Sequence, residues 1–187
     1  MPDPFSRTLA STFFGWDASM PSPVAGAVSD VAQFGIVLAV LVVGLAALWA
    51  SEGPPAARLL DTAVRLVPGV AAVVVAFAAA HVAGTLLSEP RPFVLLAQQP
   101  LFPHAPDGSF PSDHVTAGMS MLAARIGRRG RILTAVIVAL VGLARVVAGV
   151  HWLDDIVGGA IIGLAVAWLV STAFGLVPAV RSQVRPA

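Results

Sequence analysis

Long uncharged apolar stretches alternate with short polar connections along this chain. Val31–Ala50 carries no charge and is long enough to span a bilayer, which takes about 20 residues of helix. Leu66–Ser88 is a second such run, with His81 as its one titratable side chain, and Ile156–Val180 is the third and longest. Two shorter apolar segments lie between, from about Ser112 to Gly127 and from about Arg131 to Val150. An even number of crossings must separate Ser88 from Ile156, so both are expected to span, with their polar ends lining a shared cavity rather than facing lipid. Gly159 and Gly163, one helical turn apart, signal close helix packing.

Residues 5–20 have scattered apolar positions and Trp16, which predicts a short helix lying in the membrane interface. Residues 1–29 as a whole read as an interfacial N-terminal segment. Residues 89–110 form a loop punctuated by Pro90, Pro92, Pro100, Pro103 and Pro106. A loop of that length is commonly functional, and Phe93-Val94-Leu95-Leu96 with Leu101-Phe102 predict that it rests on the lipid surface. The expected architecture is a single domain over residues 1–187. It is an all-α integral membrane protein of about five transmembrane helices plus the interfacial helix.

Composition sharpens this picture. The 187 residues are 57% hydrophobic and only 11% charged, against about 25% charged in a soluble domain. There are no cysteines, which excludes disulfides, thiol catalysis and Cys-ligated zinc. There are no lysines either, and the net charge of +1 argues against a nucleic-acid partner. Positions 1–20 lack a basic start followed by a long apolar core, so no cleaved signal peptide is expected. Arg58, Arg65, Arg125, Arg128, Arg129, Arg131, Arg181 and Arg185 fall on one side when five spans alternate, and the positive-inside rule makes that side the cytoplasm. Arg7, Arg91 and Arg145 stay on the other. A multi-pass protein is expected, with the sequences around Arg91, His114 and His151 meeting at its outer face.

Those three sequences carry the chemistry. The first is Arg91-Pro92, the second Pro111-Ser112-Asp113-His114, and the third runs from Arg145 through Gly149 and His151 to Asp155. Ionisable groups at a membrane boundary are costly and so are functional candidates. His151 and Asp155 sit four apart, on one helical face, where a carboxylate can orient an imidazole. Ser112 is a good N-cap, and the free N–H groups behind it would face an anion. The guanidinium forks of Arg91 and Arg145 suit phosphate oxygens. Together these groups make a phosphate pocket with a nucleophile and an acid. Asp113 reads as a first-turn acid that could also tune His114 or hold Arg91, and Glu89 as a partner for an arginine or an interface anchor. His81 reads as a hydrogen-bonded interhelical histidine, Asp154 as a solvated or capping acid, and His104 as a surface loop residue. No cluster has metal-ligand spacing, so neither metal nor other cofactor is expected.

The three elements, in this order, resemble the type-2 phosphatidic acid phosphatase family of membrane lipid phosphatases, over roughly Leu66 to Ala167. That family's pattern also has a lysine seven residues before Arg91, where this chain has Gly84, and a serine before Arg145, where it has Ala144. The Pro-Ser-Asp-His variant and the Glu89-Pro-Arg-Pro-Phe context resemble its undecaprenyl-diphosphatase branch, the bacitracin-resistance type. The resemblance implies hydrolysis of the terminal phosphate of a polyprenyl diphosphate at the outer face of a bacterial inner membrane. It implies His151 as nucleophile, Asp155 as its partner, and His114 as the acid and then base. Arg91, Arg145 and Ser112 would hold the phosphoryl group, with Asp113, Gly149 and Glu89 as possible auxiliaries. The alternatives are a phosphatase for phosphatidate, phosphatidylglycerolphosphate or another prenyl phosphate and, further off, a non-catalytic lipid-binding or transport protein.

Overall fold

Proline marks where several helices begin. Pro21 precedes the second helix, Pro54 and Pro55 open the third, and Pro92 opens a short fourth, all places where a missing N–H costs nothing. The structure, a computed structural model, describes residues 4–17, 19–87 and 89–181. Its helices are α1 (Pro4–Asp17), α2 (Ser22–Trp49), α3 (Pro55–Leu86), α4 (Pro92–Leu95), α5 (Asp113–Ser120), α6 (Gly127–Val147) and α7 (Leu153–Arg181), with a 3-10 turn at Met121–Ala123 after α5. No strand occurs among the described residues, only an isolated bridge between Pro90 and Gly108. Arg185 lies outside the described residues, as does Ser88, and so do the side chains of Trp16 and Arg181.

The packing inverts the soluble pattern. Large apolar side chains such as Leu41, Val74, Ile161 and Trp168 face outward, while Ala32, Ala39 and Ala47 of α2 and Ala72, Ala76 and Ala80 of α3 are buried. Lipid is as apolar as leucine, so helices associate through small residues that let backbones approach. α2, α3, α6 and residues Leu153–Gly175 of α7 are long and apolar enough to cross a membrane.

α5 departs from the expected helix over 112–127. It is eight residues long, continues as the 3-10 turn, and becomes extended at Ala124. It still runs between the same two levels. Near its start, Gly84 of α3 packs against the Phe110 carbonyl; beyond its end, the Arg125 N–H donates to the Arg65 carbonyl at 3.0 Å. Those two α3 positions are about 28 Å apart along the helix, so this segment runs through the depth of the bundle beside the four helices long and apolar enough to span. It can be short and irregular because protein surrounds it. Gly118 of α5 abuts Val138 of α6, and Gly163 of α7 abuts the Thr116 carbonyl of α5.

Two further expectations need correction. α2 begins at Ser22, so residues 22–29, expected to belong to the N-terminal segment, are part of a long helix. Ser6 of α1 donates to Asp154 at 2.8 Å, which seats α1 on the start of α7. The 89–110 loop, expected to rest on lipid, leaves Val94 and Leu95 exposed but turns three of its other apolar side chains inward. Phe102 is buried in a cluster with Ala32 of α2 and Ala144 of α6, with Phe93 and Leu101 packed against it. The Phe93 and Leu101 amides donate to the carbonyls of Gly149 and Ala148. Phe93, Leu101 and Phe102 thus fold the loop back over the helix ends.

Candidate functional site

Gly149 ends α6 in the left-handed conformation, at φ 74°, a backbone state that glycine adopts without strain and a common helix stop. The chain then turns so that the Val150 carbonyl and the His151 ring face inward before α7 starts at Leu153. Trp152, buried, donates from its indole Nε1 to the Pro90 carbonyl at 2.8 Å, tying the start of α7 to the loop that carries Arg91.

His151 Nδ1 lies 3.1 Å from Asp155 Oδ2. The same oxygen accepts the Trp152 N–H at 2.8 Å, and Asp155 Oδ1 accepts the Ser109 hydroxyl at 3.3 Å. The carboxylate is thus fixed, and it can accept a hydrogen bond from a protonated Nδ1. That tautomer leaves Nε2 with a lone pair, and Arg91 Nη1 sits 3.3 Å from it as a donor. Arg91 Nη1 also donates to the Val150 carbonyl at 2.8 Å, and Nε donates to Asp107 at 2.7 Å. Burial, with the charges of Arg145 and Arg91 behind it, pushes His151 well below its ordinary value, which favours the neutral imidazole.

Arg145, near the end of α6, is also buried. Its Nη1 donates to the Ala32 carbonyl at 2.9 Å, and its Nη2 lies 3.2 Å from His104 Nε2. Its Nε has no partner. Arg91, Arg145, His114 and His151 line one cleft of about 750 Å³, joined by Asp113 on the rim of α5. Sequence elements far apart therefore meet in a single cleft.

Other expected residues behave differently. Ser112 occupies the N-cap position of α5, but its hydroxyl makes no cap bond; it is fully buried behind the cleft wall and without a partner. Its backbone N–H instead donates to the Asp155 carbonyl at 3.1 Å, joining α5 to α7. Arg91 is held by Asp107. Glu89 contributes its carbonyl to the Ser109 amide. Gly149 serves as the turn described above. His81 is exposed and faces the cleft from α3 rather than lying between helices.

Local sequence gave no sign of His104 or Asp107, both of which line the cleft. Their one signal was the length of the loop that carries them. Burial and the Arg91 and Arg145 charges hold His104 below its ordinary value. Partial burial raises Asp107, but the Arg91 hydrogen bond and charge outweigh it and hold the carboxyl below the usual range. No group of three His, Cys, Asp or Glu side chains that could hold a metal occurs among the described residues.

Comparison with known proteins places this geometry in context. A family model described as the PAP2 superfamily matches residues 65–177. The undecaprenyl-diphosphatase BcrC of Bacillus subtilis is 35% identical over 83 residues, 43% of each chain, so the match spans less than half of that relative. A Bacillus licheniformis protein named bacitracin transport permease protein BcrC is 29% identical over 153 residues, 80% of this chain and 70% of its own. Among solved structures, Aquifex aeolicus LpxE aligns with a TM-score of 0.64 at 20% identity, covering 86% of this chain and 92% of its own. A PAP2-type phosphatidylglycerolphosphate phosphatase from Bacillus subtilis aligns at 0.61 and 18% identity, covering 91% and 84%. At these identities the two structures share the fold.

Proposed function

The chain belongs to the PAP2 superfamily, and from that premise we propose that it removes the terminal phosphate of a polyprenyl diphosphate of the undecaprenyl type through a phosphohistidine intermediate. One observation carries this reading. His151 is backed at Nδ1 by Asp155, while its Nε2 meets Arg91 on a cleft that Arg145 also lines. A nucleophile with its orienting carboxylate behind and guanidinium forks in front is built for phosphoryl transfer, where positioning and charge stabilisation supply most of the catalysis.

In the first step His151 Nε2 forms a bond to the terminal phosphorus, and the bridging P–O bond breaks. His114 donates a proton to the departing lipid monophosphate, and Asp155 stabilises the imidazolium. In the second step water attacks the phosphohistidine, and His114 takes its proton. Nε2 is released and inorganic phosphate leaves. Arg91 and Arg145 balance the charge on the equatorial oxygens in both steps. Ser112 belongs to the positioning of this cup, because its amide links α5 to Asp155.

The proposed setting is a bacterial inner membrane, with the cleft toward the outside. Arg58, Arg65, Arg125, Arg128, Arg129 and Arg131 sit at the end of the bundle away from the cleft, which the positive-inside rule assigns to the cytoplasm. The chain has no cysteine, so one introduced at the exposed Asp107 would report the side directly. Labelling of intact cells by an impermeant thiol reagent is expected; labelling only after the inner face is opened reverses the orientation.

Substrate is tested by assaying purified protein on matched diphosphate and monophosphate lipids, with and without EDTA. Faster release from the diphosphate, unaffected by EDTA, is expected. Much faster hydrolysis of phosphatidate, phosphatidylglycerolphosphate or a prenyl monophosphate moves the substrate to that class. The name of the Bacillus licheniformis relative keeps transport as a second reading. His151→Ala separates the two: catalysis requires phosphate release to vanish while folding is kept.

A further inference from the structure

We propose that His104 is a phosphate ligand of this cleft, binding the same anion as Arg145. The proposal deepens the phosphatase reading and rests on it for the nature of the ligand.

Charge balance is the first argument. The permanent charges on the cleft lining are Arg91 and Arg145 against Asp107 and Asp113, and these cancel. A phosphate monoester brings about −1.5 to −2 at neutral pH, and the chain has no lysine to offset it. Position 84, on the α3 wall of the cleft, cannot supply a cation either. A Cβ there would stand 3.0 Å from the Phe110 carbonyl oxygen. The remaining cation sources on the lining are histidines. His151 and His114 are committed to nucleophilic and proton-transfer roles, and His81 is exposed on α3.

Geometry singles out His104. Its Nδ1 lies 3.2 Å from the Ala105 carbonyl, which fixes the proton there. Its Nε2, 3.2 Å from Arg145 Nη2, then accepts from that guanidinium. The ring is braced by Phe93 and Phe102, with centroids 6.5 and 6.0 Å away, and those residues are packed against α2 and α6. It is thus a held side chain pointing into the cleft, although the loop around it is rich in proline. Burial and the charges of Arg91 and Arg145 hold the ring's pKa low, which favours the neutral form; Asp107 faces it as well, with Asp113, His114 and His151 on the same lining. A phosphate oxygen arriving between Arg145 and His104 replaces a positive neighbour with a negative one. Nε2 then takes up a proton from water and donates to the anion, so the donor–acceptor pair of Arg145 and His104 becomes two converging donors.

The test uses purified full-length protein and inorganic phosphate, both as a competitive inhibitor of lipid phosphate turnover and by direct titration followed by 31P line broadening. His104→Ala is expected to raise the phosphate inhibition constant and KM about tenfold or more, the loss of one charge-assisted hydrogen bond, with kcat changed less than threefold. His104→Lys restores binding. His104→Phe keeps the aromatic contacts and behaves like alanine. Unchanged phosphate binding in His104→Ala, or wild-type binding in His104→Phe, overturns the proposal, the second by making the ring a packing element. Failure of the diphosphate reading shows separately, as turnover of monoesters alone, and leaves the phosphate titration to decide His104.

Discussion

The Asp155 carboxylate receives the His151 ring at Nδ1 and the Trp152 amide on one oxygen, and the Ser109 hydroxyl on the other. A carboxylate with so many donors has one geometry available. Asp155→Asn keeps the shape but turns an acceptor into an amide that can present N–H to Nδ1. The imidazole is then driven to the tautomer with its proton on Nε2, where it cannot attack phosphorus. A loss of about 10³- to 10⁴-fold in kcat is expected, with the helical spectrum unchanged. Phosphate release within tenfold of wild type would sever Asp155 from the mechanism.

Arg91 spends its donors on three partners: Asp107, the Val150 carbonyl and His151. Lysine has no planar fork to reproduce that set. Arg91→Lys should therefore cost at least tenfold in kcat/KM. Asp107→Asn should cost less, because the carboxylate is 63% exposed and the pair at Nε is open to solvent screening. An Asp107→Asn enzyme more impaired than Arg91→Lys would place the carboxylate, not the guanidinium, at the chemistry.

The first element of the cleft is closed at Gly84. The Cβ position 3.0 Å from the Phe110 carbonyl leaves room for a side chain only if the backbone before α5 moves. Gly84→Lys, which would restore the lysine of the family pattern, is expected to lower the thermal midpoint and activity together. Overpacking of this kind typically costs about 1–3 kcal/mol. A lysine variant with raised activity and unchanged stability would show the loop to be free to yield.

Helix crossings were legible where hydropathy alone decides. The long runs in α2, α3 and α7 announced themselves, with ends misjudged because proline starts and polar first turns extend a helix beyond its apolar window. Asp30, just before the uncharged run from Val31, lies inside α2. α5 was harder to read, because protein rather than lipid surrounds it and that removes the need for length. The His151, Asp155, Arg91, Arg145 and His114 constellation was visible because each residue sits in a short motif. His104 and Asp107 were not, because their places depend on how Phe93, Leu101 and Phe102 fold a long loop back onto α6. Ser112 looked like a cap by residue type, but its hydroxyl is buried and its amide is the part that binds across helices.

Close packing at α5 gives a prediction independent of the chemistry. A Cβ on Gly163 would meet the Thr116 carbonyl oxygen and Met119 Cβ at 2.5 and 2.8 Å, whereas one on Gly44 meets nothing within 4 Å. Gly163→Ala must push α7 away from α5, which carries His114. A drop of roughly 1–3 kcal/mol in stability is expected, with Gly44→Ala near neutral. Equal midpoints for the two variants in detergent would mean that the α5–α7 seam is looser than the structure has it.

His151 links acid sensitivity to the site. Its folded-state pKa lies well below its ordinary value of 6.5 because the ring is buried beside two guanidinium groups. His104 is lowered in the same direction. A histidine that binds its proton more weakly folded than unfolded gives up stability as pH falls, because the unfolded chain protonates first. Its contribution is complete above about pH 6.5 and is lost progressively below. Asp107 is lowered too, but for a carboxylate the loss begins only as pH falls through about 3.8, the ordinary value, so it does not act between pH 8 and 5. The wild-type thermal midpoint in detergent should therefore fall between pH 7 and 5 relative to that of His151→Gln, which cannot titrate. Equal pH dependence of the two midpoints would mean that the imidazole is not buried neutral as its surroundings require.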